Sequence, residues 1–159
     1  MNGTEADKPD DAGAAQVPEG FAPVARRAGA FLDAALGPLY RKNDGEAQVF
    51  GLRIGERHLN SRGIAHGGML ATLADTVLGI ALATSRTPPI PMVTVSLTTD
   101  FADAARDGDW VEARVDIQKI GTRLAFANCF LAVGPRRILR ASGVFAVVAP
   151  AKRSKTFEG

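Results

Sequence analysis

One stretch constrains the fold of this chain more than any other. Residues Gly67 to Thr84, GGMLATLADTVLGIALAT, form the only long helical pattern in the sequence. The pattern is apolar nearly all round, which calls for burial on most faces. Its small residues, Ala71, Ala74, Gly79, Ala81 and Ala83, suit close packing against a sheet. Eighteen residues give a helix of about 27 Å, a length that one antiparallel sheet can wrap. Inside it stands a single carboxylate, Asp75. Its neighbours three and four residues away are Ala71, Thr72, Leu78 and Gly79, none of them basic. A carboxylate there must be paired from elsewhere, solvated in a cleft, or used.

The flanking sequence supplies the wrapping. Met1 to Gly20 is rich in Ala, Gly, Asp and Pro without periodicity, and is expected to be disordered. From Phe21 to Leu36, apolar residues at spacings of three and four (Phe21, Val24, Ala28, Phe31, Leu32, Ala35) predict a first helix, stopped by Gly37-Pro38. That helix could line the far end of a substrate through Phe31 or Leu36. Asn43-Asp44-Gly45 predicts a turn, and Ala47 to Glu56 alternates as a strand does. His58 to Ala65 reads as a loop, with His58 exposed. After the long helix and the Arg86-Thr87-Pro88-Pro89 connector come four strand-like runs, Pro91–Phe101, Trp110–Ile120, Arg123–Val133 and Ile138–Val148. The short connections between them predict antiparallel hairpins. The expected fold is α+β, one helix wrapped by five strands, with a second subunit or the first helix shielding the outer face. The domain spans 21–150 and a frayed tail 151–159.

Composition enters by exclusion. A chain of 159 residues is about one domain, and net charge +2 creates no general attraction for nucleic acid. One Trp, one Tyr and eight Phe leave little material for base stacking. A single cysteine, Cys129, excludes an intrachain disulfide and a multi-cysteine metal site, and its apolar surroundings predict a buried, inert thiol. His58 and His66 lack the spacing of a helical zinc pair, so no metal is expected. The opening residues lack the apolar core of a signal peptide, and the longest apolar run is too short to span a bilayer. A cytoplasmic location and no membrane partner are expected.

The residues that could carry chemistry cluster at the helix. The first N–H groups of a helix lack internal partners and carry the positive end of its dipole, and glycine lets a ligand approach them. Gly67 and Gly68 therefore suit a carbonyl oxygen, as in an oxyanion hole, although glycine also stands at helix starts for packing alone. His66 either caps and orients this start or is a hydrogen-bonded structural residue. Asn60 either offers an amide to the same carbonyl or closes the loop as an Asx-turn. Asp75 lies seven residues past Gly68, on nearly the same face but about 10 Å along the axis. No single carbonyl could touch both on one helix. Either only one of them matters, or two antiparallel copies cross so that the start of one helix faces the middle of the other. Ser61 has no histidine–acid pair at a diagnostic spacing, and the glycines do not form a dinucleotide fingerprint.

The pattern Asn60-x5-His66-Gly67-Gly68-x6-Asp75, together with the strand order over Ala47–Val148, resembles the hotdog-fold acyl-CoA thioesterases of the phenylacetate-pathway (PaaI-like) branch. The resemblance implies a hotdog fold of five or six strands around the long helix, paired into a dimer and often a dimer of dimers. It implies that Asp75 is general base or nucleophile. The N–H of Gly67 or Gly68, assisted by Asn60 and His66, would be the oxyanion donor. A hydroxyl on the strand after the helix, here Thr94 where a serine often stands, would position water. Lys119, Arg123, Arg136 and Arg137 at hairpin ends are candidates for the coenzyme A phosphates. Hydrolysis of an acyl- or aryl-CoA thioester at a subunit interface follows as the expected function. Coenzyme A would be part of the substrate, and no separate cofactor is called for. A non-catalytic acyl-CoA binding protein of the same fold is the alternative, and a hotdog dehydratase ranks last.

Overall fold

The computed structural model describes residues 16–25 and 29–148. The strongest local signals give the elements they predict. The helix α2 spans Gly67–Thr84, and after it come β4 (Met92–Phe101), β5 (Trp110–Ile120), β6 (Leu124–Val133) and β7 (Arg136–Val147). Before it lie β1 (Ala22–Pro23), α1 (Ala30–Ala35), β2 (Tyr40–Asp44) and β3 (Ala47–Arg53). Among the described residues all strand pairs are antiparallel, in one seven-stranded sheet ordered β1-β2-β3-β5-β6-β7-β4.

The fold class is the expected one, with one long helix on one antiparallel sheet, but several expectations need correction. The sheet has seven strands, because the sequence before Ala47 adds two. Asn43 and Asp44 close β2 rather than a turn, and the turn is Gly45-Glu46, where Asp44 pairs with Ala47. A two-residue hairpin loop needs positive φ at its first position, and Gly45 has φ 63°. The first helix is only six residues long. Its expected first turn is instead the short edge strand Ala22–Pro23, where the Phe21 ring packs edge-on against Trp110 at 5.2 Å and Lys42 lies 4.5 Å over that ring. Of the segment expected to be disordered, residues 1–15 lie outside the described residues. Gln16 is held there by Arg53, whose Nη2 donates to its carbonyl at 2.8 Å. The tail 151–159 also lies outside.

A further correction concerns β4. It does not form a hairpin with β5 but pairs with β7, at the far edge of the sheet. The connection is eight residues long (102–109), and Asp107-Gly108 is only its last turn. This loop runs beneath the start of α2, where Ala65 N–H donates to Ala105 O at 2.8 Å and Arg136 pairs with Asp103 at 3.2 Å.

The core lies between α2 and the inner face of the sheet. Leu70, Leu73, Ala74, Val77, Leu78, Ala81 and Leu82 are buried against Phe50, Leu52, Val111, Leu131, Leu139 and Phe145. Small inward residues, Ala113, Ala125, Ala127 and Ala141, let the helix sit close to the sheet. Cys129 is buried among them, and burial pushes its thiol up to about 12. The outer face is polar at its centre, where Arg114, Asp116, Asn128, Arg140, Ser142 and Asp100 lie in neighbouring rows. It therefore needs no shield from α1, which lies on the helix side instead. Among the described residues, no helix is long and apolar enough to cross a membrane.

Candidate active site

The helix is not buried all round. Met69, Leu70, Leu73, Ala74, Val77, Leu78, Ala81 and Leu82 are covered, while Ala71, Thr72, Asp75, Thr76, Gly79 and Ile80 are half-exposed. These six form one stripe at spacings of three to four, facing away from the sheet's own cover. The lone carboxylate stands at its centre, between Ala71 and Gly79, each one turn away. The stripe forms one wall of a groove of about 690 Å³, with Phe31 and Leu32 of α1, Met92, Thr94 and Leu97 of β4, and Phe145 of β7 completing it. The lining is mostly apolar, with few polar groups, as small-molecule sites are.

Among the described residues Asp75 has one hydrogen-bond partner across the groove: the Thr94 hydroxyl donates to its Oδ1 at 2.7 Å. Thr94 is brought there by β4, whose pairing with Phe145 turns its side chain toward the helix. The other hydroxyls of the stripe are engaged on their own helix, Thr72 with Gly68 O at 2.9 Å and Thr76 with Thr72 O at 2.7 Å. No basic side chain pairs with Asp75 among the described residues.

At the helix start, His66 is the N-cap. Its Nδ1 accepts from Gly68 N–H at 2.9 Å, so a proton on a neutral ring sits on Nε2. Gly68 N–H is thereby used, and Met69 and Leu70 N–H both donate to His66 O. The Gly67 N–H has no acceptor among the described residues. A Cβ on Gly67 would lie 3.3 Å from Cε1 of Phe101, so glycine lets that ring pack close against the helix start. Asn60 closes the loop before the helix. Its Oδ1 accepts from Arg62 N–H at 2.8 Å, and Gly63 N–H donates to its carbonyl at 2.9 Å, the Asx-turn arrangement.

The structure thus joins Asp75 to Thr94 and His66 to Gly68, as two sets on one helix about 10 Å apart along its axis. The four basic candidates do not gather. Lys119 and Arg123 flank the β5–β6 turn, whereas Arg136 and Arg137 follow the β6–β7 turn. Ten residues of β6 separate the two ends by roughly 30 Å. Arg136 is also committed to Asp103 and to Ala104 O, and Arg137 lies 4.2 Å over the Phe130 ring. Of the two α1 residues expected to reach substrate, Phe31 does line the groove, but Leu36 is fully buried. Leu32, Met92, Leu97 and Phe145 also line it and were not foreseen. Spacing could have found Leu32, one position beyond Phe31. Nothing in the sequence fixes which way β4 and β7 face, because each contains or adjoins a register shift. Among the described residues, no cluster of three or more His, Cys, Asp or Glu could hold a metal ion.

His58 is not exposed. It is 4% exposed and held at both ring nitrogens, with Gly55 N–H donating to Nδ1 at 2.9 Å and Nε2 lying 3.1 Å from Leu36 O. Burial lowers its pKa below the ordinary histidine value, against the opposing effect of the Leu36 carbonyl.

The thioesterase superfamily profile matches residues 62–137, from just after Asn60 through both helix-start glycines and Asp75 to the β7 hairpin. The Pseudomonas aeruginosa protein named "Putative esterase PA0474" is 52% identical over 130 residues, covering 81% of this chain and 96% of that protein. Acyl-coenzyme A thioesterase 13 of Mus musculus is 31% identical over 83 residues, 52% of this chain and 59% of that one. The PaaI protein from the phenylacetic acid degradation operon of E. coli shares the fold, with a TM-score of 0.66 at 21% identity, over 75% of this chain and 85% of that one.

Proposed function

The chain belongs to the thioesterase superfamily and is a thioester hydrolase, and from that premise we propose that it cleaves acyl- or aryl-CoA thioesters at sites shared by two copies. The observation that carries this reading is the Asp75–Thr94 pair at the centre of an apolar groove. An acyl group of moderate length, or an aromatic ring, fits between the helix stripe, α1 and Phe145. The carboxylate then stands beside the thioester carbonyl. The coenzyme A part extends out of the open groove, and the reaction needs only this substrate and water.

Thr94 spends its proton on Oδ1 of Asp75, which leaves Oδ2 to take a proton from water and the Thr94 lone pairs to hold that water in place. Water oxygen attacks the thioester carbon, the C–S bond breaks, and Asp75 returns its proton to the departing thiolate. The products are the free acid and the CoA thiol. Charge that develops on the carbonyl oxygen needs a donor. With Gly68 N–H bonded to His66, we assign that role to Gly67 N–H, with His66 and Asn60 holding the helix start in shape.

Because Gly67 and Asp75 of one helix lie too far apart for one carbonyl, the donor comes from a second copy. The outer edge of β4 supports this reading. It is ten residues long, no described strand pairs with it, and it exposes Val93 (53%), Val95 (59%) and Phe101 (53%). A long apolar edge is a template for another strand. Antiparallel pairing of two β4 strands about a twofold axis near Leu97–Thr98 sets Thr94 opposite Phe101 of the second copy. Since Phe101 covers Gly67 in its own subunit, the helix start of one copy then faces Asp75 of the other.

The test is release of free thiol from a panel of acyl- and aryl-CoA thioesters by the purified protein, with Asp75→Asn as control. Turnover that survives in the control, or a wild type inert to the whole panel, refutes the reading. Single turnover in ¹⁸O-water separates the two uses of Asp75. Direct attack by water puts the label in the released acid alone, whereas a covalent route through the carboxylate can leave it in Asp75.

A further inference from the structure

The residue that sequence reading placed on the surface is the best-anchored side chain near the site. His58 is the last residue of the one-turn 3₁₀ helix Glu56–His58 and touches three separate parts of the fold. Its Nε2 meets the carbonyl of Leu36, the C-cap of α1, at 3.1 Å. Its Nδ1 accepts from Gly55 N–H at 2.9 Å, just past the end of β3. Its own carbonyl accepts from the N–H of His66, the N-cap of α2, at 2.8 Å. With Nδ1 an acceptor, the ring proton sits on Nε2 and donates to Leu36, so both ring nitrogens are satisfied in the neutral form alone.

These three anchors connect the two ends of the candidate site. On one side is α1, whose Phe31 and Leu32 form a wall of the groove. It is only six residues long, has no side-chain cap at its N-terminus, and packs on the core through the partly buried Leu32 and Ala35, so its orientation depends on how its ends are held. Its C-terminal end is fixed by the burial of Leu36 and by the bond to His58. On the other side is the helix start that offers Gly67 N–H. We propose that His58 is a positioning residue that holds the α1 wall in register with the start of α2, so that the seating of the acyl group fixes where its carbonyl lies. This inference rests on the acyl-CoA reading above and adds the residue that governs how chain length is sensed.

The position asks for histidine in particular. A phenyl ring would fill the volume but leave the Leu36 carbonyl and the Gly55 N–H without partners in a buried place. A glutamine amide can both donate and accept, and should restore part of the arrangement. The effect should grow with acyl length, since an acetyl group is too short to reach α1 from the carbonyl position beside Asp75. Misplacement by about 1 Å can lower rates by ~100-fold.

The experiment compares wild type, His58→Phe and His58→Gln on acetyl-CoA through long-chain acyl-CoAs, at a temperature where each is folded. Amide hydrogen exchange is measured on residues 29–36 and 66–70 of the same samples. We expect His58→Phe to lower kcat/KM by about 10- to 100-fold for the longer acyl groups and by much less for acetyl-CoA. We expect recovery in His58→Gln and faster exchange in both segments of the phenylalanine variant. Unchanged kinetic constants with only a lower melting temperature would overturn the proposal, as would an equal loss at every chain length. If wild type cleaves no acyl-CoA, the substrate reading falls. The exchange data then decide the role of His58 alone, with unchanged exchange refuting it.

Discussion

The Thr94 hydroxyl donates a 2.7 Å hydrogen bond to Oδ1 of Asp75, joining the edge strand of the sheet to the middle of its core helix. It is a side-chain bond between the helix wall and the β4 wall of the groove, and it fixes which carboxylate oxygen is free. Asp75→Asn should lower kcat by about 10²- to 10⁴-fold with the fold retained, the loss expected for a removed general base. Thr94→Val should lower it by only about tenfold, the equivalent of one hydrogen bond, and Thr94→Ser should keep most of it. Steady-state kinetics with far-ultraviolet circular dichroism on the same samples check both.

The exposed edge of β4 makes oligomeric state the second check. Val95 stands at the register shift between Thr94 and Ser96, with its side chain 59% exposed. Val95→Lys places a charge on the edge and should yield monomers in sedimentation velocity. Turnover should fall with the dimer fraction. A monomer with full activity would contradict the shared site.

Acid sensitivity follows from His58. Its pKa is lowered in the folded protein from an ordinary value of 6.5, chiefly by burial. The unfolded chain therefore binds a proton at a higher pH than the native one does. Its stabilising contribution is complete above 6.5 and is lost as pH falls from there through the depressed native value. Urea melts between pH 8 and 5 should show declining midpoints in the wild type. His58→Gln should flatten that decline, though its stability at pH 8 is lower.

Packing at the groove floor gives a fourth expectation. A Cβ on Gly143 would lie 2.7 Å from Cε2 of Phe145 and 3.0 Å from Cδ1 of Leu78. Both neighbours are buried, so Gly143→Ala should cost about 1–3 kcal/mol by overpacking. It should also displace the ring that closes the groove. Thermal melts measure the first effect, and a shift in preferred acyl length measures the second.

Much of this molecule was legible because its strongest element is local. The α2 range and the Trp110–Ile120 strand were read as they stand, since apolar periodicity and flanking glycines act within a few residues. Asp75 stood out for the same reason, as a charge on an apolar helix without a neighbour to pair it. Partners chosen by long-range topology were not legible. The placement of β4 beside β7 depends on how an eight-residue loop passes under the helix, and Phe145 reaches the groove only because of that pairing. His58 was misread because its two partners, Leu36 O and Gly55 N–H, are backbone groups that leave no trace in residue identity. The first helix was read too long because its period held from Phe21, while Phe21 itself had a better partner in Trp110.

The separation of about 12 Å between Gly67 and Asp75 on one helix has a genetic consequence. If every site takes its base from one chain and its oxyanion donor from the other, two inactive variants should complement each other. Asp75→Asn and Gly67→Val would each be dead as homodimers. Co-expressed, they would form mixed dimers in which one site has lost both groups and the other is whole. Random assortment then returns about a quarter of wild-type activity from two null alleles.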